Sequence, residues 1–421
     1  MIHYLRYCCA MLFALFSFLL ATPLSAQAQT REAYVAQSED ETTLTFYYDA
    51  LRSTRPGTTW GIGETKQLGG PAWAGTNVEG NATTARVVFD ASFQDFRPTT
   101  TAKWFHYCVA LKQIEGLEYL NTSEVKDMRG MFSNCWRLKS LDLENFNTQN
   151  VTNMEEMFYG CEALTSLDLK NFNTQNVTNM SWMFEGSALT SLDLKNFDTQ
   201  NVTNMSSMFE SCWRLKSLDL ENFNTQNVTD MSGMFHGCSA LTSLDLKNFN
   251  TQNVTNMGSM FDGCEALTSL DLKNFNTQNV TEMILMFSFC KALTSLDLKN
   301  FDTQNVTNMG DMFSGCEALT SLDLKSFNTQ NVTDMSGMFS HCSALTTIHS
   351  NTAWQCQESE FMFYNCTKLK GAVAYDKNKD DAEMANPKTG YFTAQPTMVE
   401  RNRRRAAHLP AASKRVRGAR K

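Results

Sequence analysis

The chain has 421 residues, 42% of them hydrophobic and 19% charged, with a formal net charge of −8. Nine of its 36 Lys and Arg but only one acid, Glu400, lie beyond Thr393, so the stretch before them is markedly acidic; it repels phosphate backbones, which argues against a nucleic-acid-binding core. After the first thirty residues no apolar run approaches the ~18 residues of a membrane-spanning helix, which argues against a span in the remainder.

In chain order, residues 1–28 read as a secretory signal peptide. Arg6 supplies the positive start, Cys8 to Leu20 the apolar run, and "ATPLSAQAQ" the small residues for cleavage after Ala26 or Ala28. Residues 29–107 form an N-terminal capping region, with strand-like runs ("TTLTFYYDA", "ARVVFDASF") and Gly-rich turns. Its one glycine-rich loop, "GIGETK", lacks the rest of a phosphate cradle.

Residues 108–366 are repeats. The stretch "LTSLDLKNFNTQNVTNM" at 164–180 recurs word for word at 241–257, and a Met-Phe pair starting at Met131, Met157, Met183, Met208, Met234, Met260, Met286, Met312 and Met338 recurs with a period of 26, once 25. A fixed period in this range predicts a solenoid. Within one copy the apolar positions are Leu138, Leu141, Leu143, Phe146, Val151, Met154, Met157, Phe158 and Cys161. The opening L-x-x-L-x-L predicts a short strand with inward leucines, "NFNTQN" a turn, and the i, i+3, i+4, i+7 spacing of Met154, Met157, Phe158 and Cys161 a short helical face. The expected fold is therefore an α/β repeat solenoid, a leucine-rich-repeat-like stack of about ten 26-residue strand-turn-short-helix coils between caps. One coil buries too little to fold alone, which is why the copies are contiguous. Residues 367–393 close the stack as a polar C-terminal cap. Residues 394–421 are a basic tail, read as disordered, with electrostatic anchoring to an anionic envelope as the alternative.

Thirteen cysteines less Cys8 and Cys9 leave an odd number, which cannot all pair. Cys135, Cys161, Cys212, Cys238, Cys264, Cys290, Cys316 and Cys342 share one repeat position and read as a column of buried free thiols. Cys356 and Cys366 are the expected exception, a disulfide. Each of eight repeats also carries an Asn-Val-Thr sequon (Asn150 to Asn331), and glycans at a pitch of ~4.8 Å would collide, so these asparagines are expected to form a hydrogen-bonded ladder instead.

The consensus "LTSLDLKNFNTQNVTNMSGMF.GC" resembles the BspA-like leucine-rich repeat surface proteins, a bacterial group, over residues 100–393, and "AYD…PKTGYFT" resembles their closing segment. The resemblance implies an exported, adhesin-like cell-surface protein whose partners are host matrix proteins or other cells.

If Leu141 and Leu143 face inward, the residues between and beside them face outward. One outward column is Asp142, Asp168, Asp193, Asp219, Asp245, Asp271, Asp297 and Asp323; two residues along runs Lys170, Lys195, Lys247, Lys273, Lys299 and Lys325, with Glu144 and Glu221 as exceptions. This stripe is the candidate ligand face, set against the plainer reading of a solvated surface. Trp136, Trp182 and Trp213 stand where other copies carry polar residues and are candidate aromatic anchors, or else pack on Arg137 and Arg214. Scattered histidines and the lack of a His-Glu-x-x-His motif assign no catalytic residue, cofactor or metal. The expected function is binding of an extracellular protein or cell-surface ligand, with a structural spacer or self-associating coat component as the alternative.

Overall fold

A computed structural model describes residues 30–66 and 70–394. The segment read as a signal peptide and most of the basic tail lie outside these residues. The N-terminal region folds as a five-stranded sheet of β1 (Glu32–Gln37), β2 (Thr43–Asp49), β3 (Thr59–Gly61), β4 (Arg86–Phe89) and β5 (Gln113–Glu115), in the order β3-β1-β2-β4-β5. The first three strands pair antiparallel; β2, β4 and β5 pair parallel, so the sheet already adopts the direction of the repeats that follow. Its inner face is aromatic. Phe46 contacts Phe89, Phe93, Trp73 and Trp104 and meets Phe105, the first member of a column that runs through the whole stack.

That column is Phe105, Phe132, Phe158, Phe184, Phe209, Phe235, Phe261, Phe287, Phe313, Phe339 and Phe363, with successive ring centroids 5.5–5.8 Å apart. Parallel bridges join Thr100, Asp127, Asn153, Asn179, Asn204, Asp230, Asn256, Glu282, Asn308, Asp334 and Glu358 in succession. Every link steps by one sequence repeat, so the chain is a repeat solenoid in which equivalent residues stand in register. Tyr391 and Phe392 close the far end against Phe363.

The predicted helical face is buried as expected but is not helical. Met154, Met157, Phe158 and Cys161 are fully buried, yet no α-helix occurs among the described residues. Alternate amides leave the coil instead: Met154, Glu156, Phe158 and Gly160 donate to carbonyls of Asn179, Ser181, Met183 and Glu185 in the next coil. The amides between them, Met157, Tyr159 and Cys161, close i→i−3 turns on Met154, Glu156 and Phe158. Two residues per coil take left-handed backbone to permit this, Glu156 (φ 55°) and Gly160 (φ 64°) in this copy. A string of turns brings a side chain inward every three or four residues, as a helix does, so the periodicity could not separate the two.

The Leu-x-Leu segments form strands only near the C-terminal end, where β6 (Ser321–Asp323), β7 (Thr347–His349) and β8 (Phe392–Thr393) pair parallel. Elsewhere the leucines still turn inward: Leu143 is buried and Leu141 partly so.

Small polar columns tie the coils together. The Thr148 hydroxyl donates to the Asn173 carbonyl (2.9 Å) and accepts that residue's amide (2.7 Å), and Thr174, Thr199, Thr225, Thr251 and Thr277 repeat the pair. The sequon asparagines form the expected ladder, each carboxamide donating to a carbonyl one coil back, Asn176 to Gln149 and Asn201 to Gln175 at 2.7 Å.

All eleven cysteines among the described residues are free thiols, Cys356 and Cys366 included, so the disulfide expected there is absent. The Cys161 thiol donates to the Phe132 carbonyl at 3.2 Å, and burial pushes it up to about 12, which keeps it protonated and unreactive. In the copy without cysteine, buried Ser187 fills the place and meets the Cys212 sulfur at 3.5 Å.

Candidate functional site: two faces of the solenoid

The Asp and Lys stripe lies on the Leu-x-Leu side. In every copy from Asp142 to Asp323 one carboxylate oxygen accepts the backbone N–H two residues on, a local turn that fixes the side chain. The other oxygen meets the lysine at that residue in Asp168–Lys170 (3.0 Å), Asp245–Lys247 (3.1 Å), Asp271–Lys273 (2.8 Å), Asp297–Lys299 (2.8 Å) and Asp323–Lys325 (2.9 Å). These pairs close within a coil. Lys247 also reaches Glu221 one coil back at 3.9 Å. The Lys170 amide, then its ammonium, holds Asp168 below the usual carboxylate range, and the carboxylate raises Lys170 in turn. The groups are exposed, with 64% and 62% of the Asp168 and Lys170 side chains open to solvent, so the pairing adds little stability and leaves both charges available.

The three tryptophans do not converge. Trp136 and Trp213 are exposed in one column, Trp136 donating to the Asn134 carboxamide oxygen at 3.1 Å and Trp213 lying under the Arg214 guanidinium at 4.3 Å. Trp182 belongs to the opposite, Met-Phe side. It holds a left-handed backbone (φ 55°), a conformation that costs a non-glycine residue on the order of 1 kcal/mol.

The Met-Phe side carries the residues on which the copies differ. One column, the residue after each Phe, reads His106, Ser133, Tyr159, Glu185, Glu210, His236, Asp262 and Ser288. A second, left-handed at every coil, reads Lys103, Gly130, Glu156, Trp182, Ser207, Gly233, Ser259 and Leu285. Where the two columns meet the N-terminal loop at Gly75–Asn77, they wall an open cleft of about 510 Å³. Gly130 lies next to three of the lining residues: a Cβ there would stand 3.5 Å from the Lys103 side chain, 3.6 Å from Glu156 Oε2 and 3.7 Å from His106 Nδ1.

Electrostatics along these columns are crowded. Burial, then Glu210 and Glu156, push Glu185 up to about 8. Glu156 is raised by burial and by Glu155. Burial, then Lys103, push His106 down to about 4, which leaves its ring neutral. Further along, His236 sits between Glu210 (3.0 Å) and Asp262 (3.5 Å). Burial opposes the Glu210 charge, but the His236 and Ser207 hydrogen bonds leave Glu210 net lowered, while His236 is raised chiefly by Glu210. Reading the sequence for its constant positions passes over this side; asking which positions vary between near-identical copies finds it.

Among the described residues no group of three or more His, Cys, Asp or Glu is arranged to hold a metal ion, and no helix is long and apolar enough to cross a membrane.

Solved structures of low similarity to the chain include two leucine-rich repeat proteins. A leucine-rich cell surface protein from Faecalibacterium prausnitzii A2-165 is 16% identical, with a TM-score of 0.33 over 76% of this chain and 93% of the other. A leucine-rich repeat protein of T. pallidum is 16% identical, with a TM-score of 0.27 over 62% and 87%. Superpositions this loose decide neither fold nor function. No curated protein matches the sequence. A family model described as "Mycoplasma protein of unknown function, DUF285" matches three times, over residues 99–217, 187–295 and 266–376. These matches span more than half of the chain and coincide with the bridged coils, and the chain belongs to the DUF285 family.

Proposed function

We propose that this chain is a non-enzymatic, exported surface repeat protein of the BspA-like kind, a stack of about ten coils between two caps. Its solenoid holds an extracellular protein or another cell against the Asp and Lys stripe. The carrying observation is that one exposed carboxylate recurs in every copy from Asp142 to Asp323, each fixed by its own backbone turn and most with a lysine two residues on. A partner that is itself extended meets many such pairs at once, and weak contacts then sum through effective concentration. Adhesion of the whole chain to matrix proteins tests this, with the stripe reversed at Asp245, Asp271 and Asp297 to Lys and at Lys247, Lys273 and Lys299 to Glu. Reversal is expected to abolish adhesion and leave folding intact; unchanged adhesion contradicts the reading.

A second reading, a spacer or self-associating coat component, is favoured by a different observation. The most constant residues, Thr148 and Asn176 with their equivalents, are used to bond coil to coil, so the repetition serves stiffness. Concentration-dependent oligomers without adhesion are its expected outcome.

A further inference from the structure

We propose that the cleft on the Met-Phe side, walled by Lys103, His106, Glu156, Trp182 and Glu185, binds a cationic side chain, the guanidinium or ammonium group of a partner peptide. This site is separate from the Asp and Lys stripe, and either assignment stands if the other fails.

The ionisable lining has more acidic than basic groups. Three carboxyl groups, Glu156, Glu185 and Glu210, line it on consecutive coils, Glu210 also meeting His236 at 3.0 Å, against the single ammonium of Lys103. His106 Nδ1 is buried without a hydrogen-bond partner, and a neutral imidazole keeps one nitrogen able to accept. A guest that completes this lining brings several N–H donors and positive charge. An anionic guest meets the carboxylates, and a neutral one leaves them crowded. Trp182 contributes an aromatic face beside the carboxylates, the combination that favours a cation over a neutral amide. The elevated Glu185 fits an empty site in which a proton stands where a cation belongs.

Equivalent positions elsewhere in the stack supply the variants. Ser207 stands one coil on from Trp182 in the same left-handed column, and Ser288 occupies the place of Glu185, so serine already folds at both positions. The test is an NMR titration of the full chain with acetyl-arginine-amide, acetyl-lysine-amide, the uncharged isostere acetyl-citrulline-amide and a neutral oligosaccharide. The cationic probes are expected to shift the Gly130 and Trp182 amides and to bind more tightly at pH 8.5 than at pH 6, because the guest displaces the Glu185 proton. Trp182→Ser and Glu185→Ser are each expected to weaken the arginine probe by roughly tenfold, the loss of one cation–π or ionic contact, while the unfolding transition stays cooperative. Citrulline or the oligosaccharide binding as tightly as arginine overturns the proposal. So does full arginine affinity in both folded serine variants.

Discussion

The two sides of the solenoid are built from the same repeat by opposite means. On the Met-Phe side alternate backbone amides cross from coil to coil, and the rings above them sit 5.5–5.8 Å apart. On the Leu-x-Leu side Phe146 and Phe172 are 6.4 Å apart, and strands pair only at the two ends of the stack, β4 with β5 and β6 with β7 and β8. Where the backbone makes the bonds, side chains are free to change, and His106, Tyr159, Glu185 and His236 occupy one register position. Where side chains make the bonds between coils, through Thr174 and Asn176, they repeat almost without variation. Sameness among the copies therefore marks the means of stacking, and difference marks surface released from it.

The largest expected break comes from the shared core. Phe235→Ala removes a fully buried ring between Phe209 and Phe261 and is expected to cost about 3–5 kcal/mol, measured by denaturant unfolding. Next comes Thr225→Val, which leaves the Asn250 amide and carbonyl without their hydroxyl partner at a buried position. Its expected cost is about 1–3 kcal/mol by the same measurement. Gly263→Ala isolates the other left-handed position of the coil, the one Gly160 holds in its copy. A Cβ there meets only Gly237 atoms at 3.4 Å, so space is adequate, but φ is +70° and the change is expected to destabilise by about 1 kcal/mol.

The last effect depends on pH. Glu185 has a folded value near 8 against 4.5 for the free group, so the folded state holds a proton that the unfolded state releases in between. Its contribution is intact below about pH 4.5 and lost as pH rises through about 8. Glu185→Gln is expected to leave the melting temperature unchanged at pH 4.5 and to raise it at pH 8.5, with Glu156, Glu210 and His236 still in place.

Much of this was legible in the sequence. The Met-Phe ruler foretells the bridge register from Thr100 to Glu358, since side chains in register need equal coil lengths. Collision between glycans foretells the asparagine ladder, and a single shared position foretells the free cysteine column. The short helix failed at Met154 to Cys161 because the next coil offers their amides better partners than residues four back, and the left-handed residues Glu156 and Gly160 interrupt helical propagation. The strand reading failed over most of the stack because the leucine pattern records which side chains turn inward and not whether neighbouring segments pair through their backbones, and in the middle coils the Leu-Asp-Leu amides make no bond to the next coil. The cleft was hidden for a different reason. Gly75, Glu156 and Trp182 lie far apart in the chain, and only the stacking of coils against the N-terminal loop brings them together.

Residue-resolved amide hydrogen exchange across the middle coils tests most directly whether the backbone bonds between coils run along the Met-Phe side. Strong protection is expected at Met231, Gly233, Phe235 and Gly237, which donate to Asn256, Gly258, Met260 and Asp262, with faster exchange at Leu244 and Asp245. Protected Leu-Asp-Leu amides beside rapidly exchanging Met-Phe amides would contradict the account.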